Sequence, residues 1–347
     1  MVVDQVIVDP EDLMTRSTPI RPRPTRRWAA AAGLLVAATL AAPTAAVGSE
    51  SSDGTPPLTV PAATAAAAMS CHGNLAAGSQ APVLFLHGTT STSKANWSWN
   101  WAKAMKSAGR AYCLLDSPNG ATGDIQVSAE YVVHAIRTMR ARAGRPISIV
   151  GHSQGGMVGR WALKYWPDTR AMVDDYVGLS SSNHGSTSGV GLCLIQGGCS
   201  AANWQQSAGS NFLAALNDGP ETFPGIDYTV IGTRYDEIVA PPTPSFLEPA
   251  PNVTNTMVQD LCPLQIVEHF GMAYDNAAWL IGIDALTNPG PAQLDRVSRA
   301  TCLRPTMPSV NLLTFGLDVV SALGVTAKNT IGAETVPAEP ELRDYAR

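Results

Sequence analysis

At 347 residues, with 45% apolar and only 15% charged side chains, the chain can bury a large core, as one large domain or two small ones. A formal net charge of −5 argues against the basic patch or stripe of a nucleic-acid-binding surface, so no nucleic-acid partner is expected. Low charge with 30 Gly and 26 Pro fits a secreted protein with rather apolar loops.

The first stretch reads as an address. Arg21, Arg23, Arg26 and Arg27 precede an uncharged run from Trp28 to Ala42, and small residues follow to Gly48. That is the order of a secretory signal: basic region, apolar region, small-residue cleavage site. At fifteen residues the run falls short of the roughly 20 that span a bilayer, so cleavage is expected rather than anchoring. Residues 1–46 are assigned to this region, and the acids Asp4, Asp9, Glu11 and Asp12 in its long basic part point to Met14 as the start. Residues 47–70 are rich in Ala, Pro, Thr and Ser without hydrophobic periodicity, which predicts a linker or short pro-segment with no packed core. The folded domain is expected over 71–347. Six cysteines, all downstream of the signal, suit three disulfides in an oxidising compartment. Spacing offers Cys71 with Cys113, Cys193 with Cys199, and Cys262 with Cys302, one of the fifteen connectivities that six cysteines allow.

Val83 to Leu86 is a continuous apolar run, as in a parallel strand covered on both faces, and it ends in His87-Gly88-Thr89-Thr90. A helical stretch from Asn96 to Ala108 carries Trp97, Trp99 and Trp101, assigned to core packing rather than to a lipid-facing rim. A strand at Ala111 to Leu115 follows. From Ile125, Ala129, Val132, Ile136 and Met139 recur at spacings of three and four, giving an amphipathic helix stopped by Gly144 and Pro146. Ile147 to Val150, Val173 to Leu179, Tyr228 to Gly232 and Thr254 to Val258 read as further strands. Strands alternating with helices predict an α/β fold: a mostly parallel, doubly wound sheet with helices on both faces. The apolar segment Val310 to Val325, interrupted by Asp318, is too short to span a membrane and is expected as a helix packed on the body.

Between the strand at 147–150 and a helix over Met157 to Tyr165 lies Gly151-His152-Ser153-Gln154-Gly155-Gly156. A serine on a sharp strand-to-helix turn, with glycines two positions either side, is a nucleophile elbow. An activated serine needs a base and a carboxylate to hold that base, in the chain order Ser, Asp or Glu, His. Of the two later histidines, His184 directly follows the next strand and precedes every plausible acid loop, so order selects His269. Asp236 sits four residues past the strand at 228–232, at the end where open α/β sheets build their sites. Asp227 lies at the wrong end. The neighbouring Glu237 is not excluded by position, although its side chain leaves the chain in another direction. His72, His87 and His134 read as structural, and His152 is too close to Ser153 to act as its base but could line the cleft. The oxyanion hole should combine the amides of Gln154 and Thr89, with the Thr89 hydroxyl as a third donor. His152, Ser182, Gln206, Ile238 and Val239 are candidate substrate contacts. No cluster at metal-ligand spacing is evident, and neither metal nor organic cofactor is expected.

The chain resembles the Candida antarctica lipase B type of α/β-hydrolase. The resemblance rests on Leu86 to Thr89, Ser153-Gln154-Gly155-Gly156, Trp204-Gln205-Gln206, Asp236-Glu237-Ile238-Val239, Leu261-Cys262-Pro263-Leu264 through His269, and Glu339-Pro340-Glu341-Leu342 with Tyr345-Ala346-Arg347. It implies a triacylglycerol lipase or esterase with Ser153 as nucleophile, Asp236 as acid, His269 as base, and Thr89 and Gln154 in the oxyanion hole. It also implies the pairs Cys71 with Cys113 and Cys262 with Cys302, and makes Gly189 to Cys199 and Val310 to Val325 candidate walls of the entrance. The sequence departs from the type at three places. His152 stands where the yeast member has tryptophan. Ala338 stands where a C-terminal disulfide would have its cysteine. Cys193 and Cys199 form an extra pair in the lid region, expected to stiffen the lid and limit activation at lipid interfaces.

Together these readings predict a secreted, monomeric serine lipase acting on triacylglycerol or similar hydrophobic carboxylic esters. Transient contact with a lipid interface and no stable membrane span after signal cleavage are expected. A short-chain or polyester-degrading esterase, an acyl transferase to alcohols, and a non-catalytic binding protein on the same fold are the alternatives.

Overall fold

In the computed structural model, residues 55–187, 193 and 197–347 are described. The expected signal region, the first part of the expected linker and most of the expected lid segment lie outside them. Among the described residues, seven strands form one sheet: β1 (Met69–His72), β2 (Val83–Leu86), β3 (Tyr112–Leu115), β4 (Ile147–His152), β5 (Val173–Leu179), β6 (Asp227–Gly232) and β7 (Val253–Met257). Their spatial order is β1-β3-β2-β4-β5-β6-β7. Only β1 is antiparallel, on the edge beside β3, and the other pairings are parallel. β2, β3 and β4 are buried at every position, which is why β2 and β3 read as continuous apolar runs, whereas β4 also buries the polar Ser148 and His152.

One face is covered by the long helix Ile125–Ala143 and the elbow helix Gly155–Tyr165, and the other by Trp101–Ser107 and Asn276–Thr287. The long helix begins at Asp124, whose side chain accepts from Gln126 N at 3.0 Å, and ends at Gly144 in the left-handed region at φ 69°. The helical stretch over the tryptophans divides into Ser93–Trp97 and Trp101–Ser107. Asn100 makes the break: its Oδ1 caps Trp101 N at 2.6 Å while its Nδ2 donates to Asn96 O at 2.8 Å. Trp97 and Trp101 are wholly buried, as expected of core residues, whereas Trp99 is half-buried against Tyr274 and Phe315.

Two segments differ from the sequence reading. The stretch read as a linker is, from Pro56 on, packed onto the body. Trp166 Nε1 donates to Pro56 O at 2.8 Å, and the buried Glu130 carboxylate accepts from the amides of Thr59 and Val60 and from the Thr59 hydroxyl. A short helix, Ala62–Ala67, then buries Ala65 and leads into β1, so the packed body begins before Cys71. The second is the C-terminal apolar helix, which spans Phe315–Ile331 and buries only Ala322; Leu317 and Val320 are 74% and 67% exposed. Apolar residues around its circumference defined no inward face, and it is tethered near its ends. Phe315 contacts Trp99 and Tyr274, and Asn329 Nδ2 donates to Thr90 O at 3.0 Å. No helix among the described residues is long and apolar enough to cross a membrane.

The disulfides are Cys71–Cys113, Cys193–Cys199 and Cys262–Cys302, the pairing that spacing offered. The first links register partners on β1 and β3. Near Ala338, hydrogen bonds hold the C-terminal segment. Val336 pairs with Cys199, and the Glu339 carboxylate accepts from Asn211 N and Phe212 N at the start of the helix Asn211–Asn217.

Candidate active site

Register brings the candidate residues to one edge of the sheet. Leu86 pairs with Gly151, His152 with Leu179, Leu179 with Ile231, and Gly232 with Met257. The loops carrying Thr89, Ser153, Ser182, Asp236 and His269 therefore all leave from the carboxyl ends of the strands. At the end of β4 the chain turns at Ser153, whose φ of 56° is left-handed and costs a non-glycine residue about 1–3 kcal/mol. The turn is held by Ser153 N donating to Leu179 O at 2.8 Å and by Gly156 N donating to Ser153 O at 2.9 Å. A Cβ on Gly151 would lie 2.2 Å from Gly155 O, and one on Gly155 would lie 2.2 Å from Leu86 O. Only glycine lets strand, turn and elbow helix come this close.

His269 Nδ1 lies 2.9 and 3.0 Å from the two Asp236 carboxylate oxygens, both residues being buried. Asp236 Oδ1 also accepts from the amides of Ile238 at 3.1 Å and Val239 at 2.7 Å. Burial opposes ionisation of Asp236, but its bonds to His269 and the Val239 amide outweigh it and hold the carboxyl below its ordinary pKa. An ionised carboxylate can only accept, so the His269 proton sits on Nδ1 and leaves Nε2 as the basic nitrogen. Glu237, the other acid that sequence position allowed, accepts from the His269 backbone N–H at 3.1 Å and not from the ring. His184 lies elsewhere, hydrogen-bonded to Glu221 and Pro244 O. Among the described residues no hydrogen bond joins Ser153 Oγ to His269 Nε2, a contact that often tightens only when substrate binds.

The side carrying Thr89 and Gln154 is built by neutral groups with fixed hydrogens. Burial pushes the His87 pKa down, against the pull of Gly88 O and Asp116. The neutral ring donates from Nδ1 to Gly88 O at 2.8 Å and accepts at Nε2 from Ser117 N at 3.0 Å, which sets the loop before Thr89. Thr89 Oγ1 lies 3.0 Å from Gln154 Nε2 and 2.9 Å from Gln206 Nε2. Each of those amides also donates to a carbonyl, Ala121 O and Ala202 O respectively, which identifies both groups as NH₂ donors. Thr89 Oγ1 thus accepts twice, and its own hydrogen is left to point away from them. The elbow helix starts beside Gln154, adding the positive end of its dipole.

The model of class 2 lipases matches residues 80–250, from β2 through the elbow to beyond Asp236. Lipase B of Pseudozyma antarctica is 27% identical over 320 residues, 90% of this chain and 92% of that protein. The chain has the α/β-hydrolase fold and is similar to lipase B. Aspergillus fumigatus lipase B has a crystal structure similar to this one at a TM-score of 0.80 and 26% identity, over 85% of this chain and 74% of that one. These relatives support a lipase-family carboxylic ester hydrolase.

The candidate substrate contacts differ in exposure and in what they touch. Ile238 is 52% exposed, but Val239 is buried and serves Asp236 through its amide. Ser182 is buried and donates to Gln206 Oε1 at 2.9 Å, and Gln206 in turn holds Thr89, so both support the Thr89 loop. His152 is 3% exposed with both ring nitrogens against protein atoms: Nδ1 is 3.2 Å from Asn96 Oδ1 and Nε2 is 2.9 Å from His269 O. Sequence reasoning did not reach these supports. Their partners lie between 24 and 117 residues away, and only the order of strand ends hinted at the encounter.

Proposed function

We propose that this chain is a secreted serine lipase that hydrolyses triacylglycerols or similar hydrophobic carboxylic esters through an acyl-enzyme. The observation that carries the reading is the buried Asp236–His269 pair, at 2.9 and 3.0 Å, on the same sheet edge as the elbow serine. Ser153 Oγ attacks the acyl carbon while His269 Nε2 takes its proton, and Asp236 stabilises the imidazolium that forms. The amides of Thr89 and Gln154 and the Thr89 hydroxyl receive the oxyanion. Collapse of the tetrahedral adduct breaks the ester C–O bond, His269 returns the proton to the leaving alcohol, and water repeats the sequence to release the acid. The exposed leucines of the helix Phe315–Ile331 support a hydrophobic ester as substrate, and the three disulfides support export.

The test is a chain-length profile with p-nitrophenyl esters and emulsified triolein, alongside Ser153→Ala and Asp236→Asn. Hydrolysis of triolein that Ser153→Ala abolishes, and that Asp236→Asn lowers by about 10⁴-fold, supports the reading. Activity confined to short, soluble esters would make the chain an esterase. Activity surviving Ser153→Ala would overturn the mechanism, and failure of a fluorophosphonate to label Ser153 would point to a binding protein.

A further inference from the structure

We infer that His152 is a positioning residue for His269: its Nε2–H holds the His269 backbone carbonyl and so aims the base at Ser153. This rests on the reading of His269 as the base. The adjacent residues Ser153 and His152 are fixed by β4, whose last member is His152, whereas His269 sits in a loop after β7 with no strand of its own. A bond from His152 to that loop therefore ties the nucleophile's strand directly to the base's main chain.

The chemistry of the ring fixes the direction of the bond. His152 is walled by the rings of Trp97, Phe270 and His269, at centroid distances of 6.3, 6.4 and 4.9 Å. Burial, with the nearby His269 adding to it, pushes its pKa down to about 3, so at neutral pH the ring is uncharged and holds a single N–H. Both ring nitrogens face acceptors, so the one hydrogen goes to the shorter contact, from Nε2 to His269 O at 2.9 Å, and not to Asn96 Oδ1 at 3.2 Å, which is already supplied by Gly88 N–H at 3.1 Å beside the Thr89 loop. His269 is thereby held at three points: its N–H by Glu237, its C=O by His152, and its ring by Asp236. An uncharged neighbour also suits a base that becomes an imidazolium during the reaction, since a charged His152 would repel it.

The experiment compares His152→Phe, His152→Asn and His152→Gln in the full chain, with Ser153→Ala and Asp236→Asn in parallel. The readouts are kcat and KM for p-nitrophenyl butyrate, thermal melting, and relative rates on butyrate esters of primary and secondary alcohols. Phe fills the site without a donor, Asn is too short to reach His269 O, and Gln presents an N–H near the place of Nε2. The expected result is a fall of kcat by about 10 to 100-fold for Phe and Asn at nearly unchanged KM, with Gln recovering most of it. Should Phe fail to fold, the comparison of Asn with Gln decides. The inference is overturned if Asn and Phe keep wild-type kcat, if Gln falls as far as they do, or if the variants change only the preference between alcohols. The parallel variants separate this from failure of the triad, which would show as activity retained by Ser153→Ala or Asp236→Asn.

Discussion

Replacing Thr89 by valine removes one hydroxyl at nearly constant volume and tests the oxyanion side directly. In the wild-type chain Thr89 Oγ1 accepts from Gln154 Nε2 and Gln206 Nε2, so its hydrogen is available to the developing oxyanion. Loss of one such donor typically lowers turnover by about 100 to 1000-fold, or roughly 2.7–4 kcal/mol of transition-state stabilisation. The ground state suffers less. Each glutamine amide keeps its second bond, to Ala121 O or Ala202 O, and each stranded N–H costs about 1–3 kcal/mol where burial is complete. Gln154 is buried and Gln206 only half-buried, so the first is expected to dominate that loss. Steady-state kinetics on p-nitrophenyl butyrate should show kcat falling with KM little changed, Thr89→Ser should stay near wild type, and Gln206→Leu should lie between. If Thr89→Val retained a kcat within about threefold of wild type, or Thr89→Ser fell as far as valine, the hydroxyl would not be a donor to the oxyanion.

Gly155→Ala should prevent stable folding or lower stability by about 3 kcal/mol or more, because the new methyl meets the Leu86 backbone carbonyl at 2.2 Å and neither strand nor helix can yield; a calorimetric Tm close to wild type would contradict this. The His184–Glu221 pair should give a pH-dependent stability. The Glu221 bond raises the His184 pKa, so its contribution is complete below the unfolded value of 6.5 and is lost as pH rises through the folded value. Glu221, although burial opposes its ionisation, is held below its usual 4.5 by His184 and Arg160, so its contribution is lost as pH falls through the folded value. The difference in Tm between wild type and His184→Gln should therefore be largest between about pH 4.5 and 6.5, and a difference flat from pH 5 to 9 would refute the assignment. Serine at both Cys193 and Cys199 should increase the jump in rate on crossing the solubility limit of an ester such as tributyrin; an equally large jump in the disulfide-bonded chain would show that this bridge does not restrain the entrance.

The elbow was legible because its chemistry is local: a buried run, two glycines that sterics require, and a helix, all within about twenty residues of sequence. Asp236 and His269 were legible through chain order, since loops that follow successive parallel strands must emerge on one edge. What composition and periodicity cannot report is the partner of a polar side chain. His152 reads as a cleft residue from its place beside Ser153, yet it is sealed by Asn96 and by a carbonyl 117 residues downstream. The Ala- and Pro-rich stretch before β1 has no amphipathic pattern because polar pins to Glu130 help to hold it, and Glu130 itself looks like an ordinary helix-surface acid. The helix Phe315–Ile331 failed in the opposite way. Its apolar residues suggested burial, and the fold leaves most of them in the open.

Thr90, Ser153 and Ser180 all have positive φ, at 63°, 56° and 45°, and each lies at the carboxyl edge beside the site. Glycine would relax the backbone at any of these positions. A sequence optimiser given this backbone and rewarded only for stability has reason to erase the nucleophile itself, and its best-scoring product would be a sturdier protein with no chemistry. Any thermostabilised descendant of this chain must therefore be selected with turnover as a co-equal criterion, and these left-handed positions are the first to exempt from redesign.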